Sequence, residues 1–379
     1  MKLSLLSCSF ASGLALAVAL GGCSSSGSSP APAPSAAADA GTADAAVADP
    51  PCDPPKITFA RSSVAIDPPR DHHVTLVREV AGVPYLYVLG GEQDDFATVF
   101  GDVQRARIAA DGSLGPFEKA GTIPRGRAGA ALAVVGDDVV LAGGVVGEPK
   151  TGFTDDFLVA RFDAGGRLDT WRSGPLLPYK VQHAAAVVVG RDVYVFGGTR
   201  GSSASNISVR TTVGADGSLA PLTSLTPLET PRSHHAAFIR NGMVFLVGGL
   251  DKGPVGNPPS LSDVVRAKLQ PDGTLGAWEA AGAISSPLSV SAAQEVGCSI
   301  LFAGGLDDGK SGPFSDGILR GSVGSDGTFK AEAPLDARLS VKRGHVHQTP
   351  MYGRFMYSVA GRANDMSTLG TIDVGTIHE

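Results

Sequence analysis

The side chains able to do chemistry in this sequence are mostly histidines, arginines and acidic pairs, and their spacing is ordered. Seven of the eight histidines (His72, His73, His183, His234, His235, His345 and His347) fall at the entry to short apolar runs such as "HAAAVVVG" at 183–190. Basic residues precede them at similar offsets: Arg70, Arg125, Lys180, Arg232 and Lys342. Two readings stay open. In one, Arg70, His73, Arg125, His183, Arg232, His235 and His345 ring the mouth of a channel and grip a carboxylate or sulfate, because guanidinium forks match planar anions. In the other, which is preferred, these side chains bond to the backbone of a neighbouring repeat and serve the fold alone.

Other chemistry is thinner. No close-spaced ligand motif such as HxxxH or HExxH occurs, so no metal site and no cofactor is expected. The pairs Asp94-Asp95, Asp155-Asp156 and Asp307-Asp308 lack calcium-loop spacing and read as turn residues. Gly304–Ser311 matches GxxxxGK[ST], but that pattern cradles phosphate only at a helix N-terminus. Here Gly312-Pro313 follows, and two aspartates would repel phosphate. A GxSxG elbow is absent. Glu92 alone among the glutamates stands at a loop just after a Gly-Gly run, where a general base could sit.

The elements that position these residues repeat. An apolar run ending in Gly-Gly recurs as "YLYVLGG" (85–91), "VVLAGG" (139–144), "VYVFGG" (193–198), "VFLVGG" (244–249) and "ILFAGG" (300–305). A degenerate copy, "MYSVAG", ends at Gly361. Asp-Gly or Gly-Gly pairs follow in phase at 111–112, 165–166, 216–217, 272–273 and 326–327, as tight hairpins require. Leu114, Leu168, Leu219, Leu275 and Phe329 stand two residues past each pair. Each unit of about fifty residues therefore reads as four short strands, the blade of a β-propeller.

These features, with Pro-Arg-x-x-His at Pro69–His73 and Pro231–His235, resemble kelch repeats over about Pro54 to Glu379. The resemblance implies an all-β, six-bladed propeller of four-stranded antiparallel blades. The sixth unit ends at Glu379 before its outer strand, so Ile57–Ile66 is expected to supply that strand and close the ring, removing an exposed edge. Copper-radical oxidases on kelch propellers need a Tyr–Cys cross-link, for which Cys52 and Cys298 are poorly placed.

The N-terminus bears on location. Met1-Lys2, an apolar stretch to Leu20 and then Leu20-Gly21-Gly22-Cys23 resemble a bacterial lipoprotein signal, which implies cleavage after residue 22 and acylation, palmitate included, at Cys23. Residues 23–53 are Ser-, Ala- and Pro-rich and read as a flexible tether to a propeller at 54–379. Ser24 lacks the aspartate that retains enteric lipoproteins at the inner membrane, so the expected location is the outer membrane. Cys8 leaves with the signal, and Cys52 and Cys298 remain for a disulfide between adjacent blades. With 31 Lys+Arg against 37 Asp+Glu and no basic block, nucleic acid is not an expected partner. The expected molecule is a monomeric, non-enzymatic scaffold for a protein or glycan ligand. The alternative is a propeller enzyme acting on an acidic sugar, epimerase- or mutarotase-like.

Overall fold

The computed structural model describes residues 49–147, 151–251, 260–306 and 314–379. Cys23 and residues 307–313 lie outside the described residues, and with them the lipid-anchor assignment, the Asp307-Asp308 pair and most of the GxxxxGK[ST] match. No helix occurs among the described residues.

The protein is a ring of six four-stranded antiparallel blades. The first is typical: Val74–Val80 lies innermost, then Val83–Leu89, Asp102–Ile108 and Leu114–Thr122. In five blades the second strand is the apolar run that ends in the glycine pair, in the last it ends in Ala360-Gly361, and in all six it is largely buried on both faces, which explains its lack of alternation. The last blade takes its outermost strand from the other end of the chain. Lys56–Arg61 pairs antiparallel with Thr368–His378, from Lys56 opposite His378 to Arg61 opposite Asp373. Ile66, beyond that strand, is buried in the core shared by the last and first blades.

The core is distributed between blades. Tyr194 and Phe196 pack on Val244, Leu246 and Trp278 of the next blade, and Phe355 and Tyr357 of the last blade pack on Leu86 and Val88 of the first. Fully burying one such side chain is worth about 1.5–3 kcal/mol. The turn pairs join in: Tyr87, Tyr194 and Tyr357 each donate a hydrogen bond to the carbonyl of Gly166, Gly273 or Gly112 in the following blade, at 2.8–3.0 Å.

The glycine pairs have one physical task. The second glycine of each pair donates its N–H to a carbonyl of the next blade: Gly91 to Arg127, Gly144 to Val181, Gly198 to Arg232, Gly249 to Leu288, Gly305 to Arg343, and Gly361 back to Arg70, at 2.7–3.0 Å. The first glycine sits at positive φ against the same carbonyl. A Cβ on Gly197 would lie 2.2 Å from the Arg232 oxygen, which no side chain tolerates. The degenerate sixth copy has Ala360 there, still at φ 52°.

Cys52 and Cys298 form a disulfide, with Cα atoms 5.6 Å apart. Cys298 lies in the turn between Ala293–Val296 and Ser299–Ala303, so the bridge ties the segment before Lys56–Arg61 to the adjacent blade, as expected from the sequence. It spans 246 residues, and closing so long a loop restricts the unfolded chain by about 5 kcal/mol in the chain-entropy account.

Candidate functional site: a histidine cluster on the propeller axis

Just before each innermost strand the chain makes the same kink. His72, Gly129, His183, His234, Val290 and His345 occupy equivalent positions, all with φ between 51° and 60°. Gly129 N–H donates to His72 O, His183 to Gly129, His234 to His183 and Val290 to His234, at 2.7–3.0 Å. These four bonds link five of the six blades side by side at the axis. Because glycine and valine share the kink with the histidines, the fold imposes it.

Five imidazoles converge inside the ring. Ring centroids are 3.8 Å apart for His183–His234, 4.2 Å for His72–His345, 4.6 Å for His72–His183 and 5.5 Å for His183–His347. Several ring nitrogens are buried without a partner: His72 Nε2, both nitrogens of His183, His345 Nδ1 and His347 Nε2. Burial and the neighbouring imidazoles hold His183, His234 and His345 well below the usual histidine range, and burial with the nearby His72 lowers His347 to about 3. These four are neutral at pH 7.

His72 differs because an ionic cluster stands behind it. Its Nδ1 lies 2.6 Å from Asp71 Oδ1 and 3.3 Å from Glu92 Oε1. Burial opposes its charge, but Asp71 and Glu92 prevail and raise it to about 9. Asp71, despite burial, is held far below the carboxylate range by His72. Arg362 contacts Asp71, Glu92 and Asp95. Glu92 also accepts the Phe96 N–H at 2.6 Å, and burial pushes its carboxyl upward.

Each sequence candidate has a definite place. His183 and His345 are on the axis. His73 and His235 turn outward between blades, where burial, with Arg70 or Arg232 alongside, lowers each to about 3. Arg70 and Arg232 are buried, and with them Arg127 and Arg343, the residues actually equivalent in register; Arg125, Lys180 and Lys342 are exposed. Each buried arginine reaches an aspartate on the third strand of its own blade: Arg70 reaches Asp102, Arg127 Asp156, Arg232 Asp263 and Arg343 Asp373. Each also donates to the carbonyl of Gly90, Gly143, Gly248 or Ala360. The preferred expectation of arginine bonds to a neighbouring blade is therefore corrected to bonds within the blade. Sequence reasoning passed over these aspartates, yet each follows its arginine by 29–32 residues, a phase readable from the repeat. It also chose the second member of the His72-His73 and His234-His235 pairs, whereas the kink sends the first to the axis.

Around this end of the axis stands a crown of small hairpins. The residue after each glycine pair bridges back to the residue before the kink, as in Asp71–Glu92, Ala128–Val145, Gln182–Thr199 and Gly344–Arg362. Hairpins Glu92–Gln93/Thr98–Val99, Val145–Val146/Gly152–Phe153 and Thr199–Arg200/Ser203–Ala204 follow. Phe96 and Phe314 carry rings against His72 and His345. On the other side of the ring a channel of about 410 Å³ runs between the innermost strands, lined by His234, His347 and small residues such as Ala130 and Ala184.

No known family matches the sequence, and no curated protein does. The solved structure of YjhT is similar in fold, with a TM-score of 0.62 and 12% identity over 81% of this chain and 95% of that one. As 307 solved chains match, the likeness carries architecture and leaves activity to the site.

Proposed function

We propose that this protein is a kelch-like recognition scaffold of the cell envelope, anchored by acyl chains on Cys23, that binds a protein or glycan on the hairpin crown. The observation that carries this reading is the internal pairing of the axial charges. Arg70, Arg127, Arg232 and Arg343 are each held by an aspartate of their own blade, and Arg362 by Asp71, Glu92 and Asp95. An enzyme of acidic sugars needs arginines open to the substrate carboxylate and a reachable base, whereas Glu92 is fully buried and engaged. Contact then falls to the crown. There Tyr179, 37% exposed, lies under the Arg200 guanidinium at 3.8 Å, beside Phe153 and Lys180, around a hollow of about 610 Å³. An exposed aromatic with a cation supplies rigid amphipathic contact area for sugar rings or protein side chains alike.

A glycan array and a pull-down from envelope extracts test this with the purified protein. The ligand they retain is expected to bind Tyr179→Ala about tenfold more weakly, the scale of losing one interface anchor. Undiminished binding by that variant places the contact elsewhere. The rival reading keeps one observation, the displaced pKa values of His72 and Glu92, which cluster at catalytic sites. Epimerisation of acidic sugars, followed by NMR on the same set of compounds, would favour it. For the anchor, Cys23→Ser is expected to abolish labelled palmitate incorporation and leave an unprocessed precursor; normal labelling rejects the assignment.

A further inference from the structure

We propose that His72, His183, His234, His345 and His347 form a binding site for a divalent transition metal, Zn²⁺ or Cu²⁺, on the propeller axis. The ligand nitrogens of His72, His345 and His347 lie within 4.8 Å of one another, and so do those of His72, His183 and His234. The two sets share His72, so one ion near its Nε2 can draw ligands from both. Nitrogens around a tetrahedral ion stand about 3.4 Å apart, given bonds of about 2.05 Å. Closing from the observed spacing takes side-chain rotation, for which the alanine-lined channel leaves room.

Two observations point to a metal. The first is the set of unpartnered buried nitrogens on His72, His183, His345 and His347. Polar atoms buried without partners cost free energy, and one cation satisfies several at once. The second is the support behind His72. Its Nδ1 rests on Asp71 at 2.6 Å and Asp71 in turn on Arg362, the carboxylate–histidine arrangement that aims and strengthens a metal-binding nitrogen. An all-imidazole set suits zinc, copper or nickel and not calcium or magnesium, which seek oxygen. Phe96 and Phe314 pack on the cluster from the crown side, and the channel past His347 and His234 provides the entry.

The test is direct. The purified full chain, stripped with EDTA and dialysed, is titrated with ZnCl₂, CuSO₄ and CaCl₂ by calorimetry. One Zn²⁺ or Cu²⁺ per chain is expected and no Ca²⁺, with nitrogen hyperfine structure from imidazoles in the copper EPR spectrum. His183→Asn is chosen because asparagine accepts the positive φ of that position. It and His347→Gln are each expected to weaken binding at least about tenfold, and Asp71→Asn by about 10–100-fold, the usual loss when a supporting carboxylate is removed. His378→Gln, at the exposed C-terminus, is expected to change nothing. Absence of tight Zn²⁺ and Cu²⁺ binding by the wild-type chain overturns the proposal. So does affinity that His183→Asn and His347→Gln both leave intact. Should a variant fail to fold, the wild-type stoichiometry and copper spectrum decide alone.

Discussion

Lowering the pH from 7 to about 5 is expected to destabilise the metal-free protein by several kcal/mol, and the cause is the buried neutral histidines. His73 and His235 are 2% and 6% exposed, and each titrates at about 3 in the folded protein against 6.5 for a free imidazole. Between those values the unfolded chain binds protons that the folded chain refuses, so stability falls as pH falls. At pH 5 each of the two costs about 2 kcal/mol, from 1.36 kcal/mol per pH unit. His183, His234, His345 and His347 add in the same direction. His72 has the opposite sign: raised to about 9, its contribution is complete below 6.5 and is lost as pH rises through 9. Stability is therefore expected to peak near neutrality and to decline more steeply on the acid side. Urea midpoints in EDTA at pH 7, 6 and 5 measure it. His235→Met should flatten the acid slope by about 1.4 kcal/mol per pH unit, having removed one titrating group. A midpoint unchanged between pH 7 and 5 would show that these imidazoles take up protons while folded.

What could be read from the sequence and what could not divide along a physical line. The Gly-Gly runs, the Asp-Gly turns and their even spacing report backbone demands, positive φ and close approach, which only a few residue types meet. The six-bladed ring and the pairing of Cys52 with Cys298 were legible for that reason. Side-chain direction at the axis was not. His72 and His73 are adjacent and chemically identical, and a single kink at φ 51° decides which one faces the channel. Arg125 stands eleven residues after Leu114 as Arg70 stands eleven after Phe59, so the repeat offset selected it, yet the buried position two residues later belongs to Arg127. An axial cluster contributed by four separate blades also escapes every short ligand motif, because its blades' contributions lie fifty to more than a hundred residues apart along the chain.

The four blade arginines rank themselves by the burial of their aspartates, and replacing Arg343 is expected to be the most damaging. Arg343 and Asp373 are both fully buried, 2.6 Å apart, and burial lowers the guanidinium to about 10 even with that partner beside it. The same guanidinium donates to the carbonyls of Ser358, Ala360 and Thr371, tying the second and third strands of the last blade together. Arg343→Met strands a carboxylate and several carbonyls in a dry interior, at an expected cost of about 3–5 kcal/mol. Adding Asp373→Leu removes the orphaned charge and should restore part of the loss, while the unpaired carbonyls remain. The corresponding change at Arg232 should cost least, because Asp263 is 43% exposed and water can take over its solvation. Arg70 and Arg127, whose aspartates are 27% and 29% exposed, should fall between. Denaturant midpoints of the four single variants and the double variant give the order. Equal losses at Arg343 and Arg232 would mean that the carbonyl bonds, common to both, carry the stability and the ion pairs little.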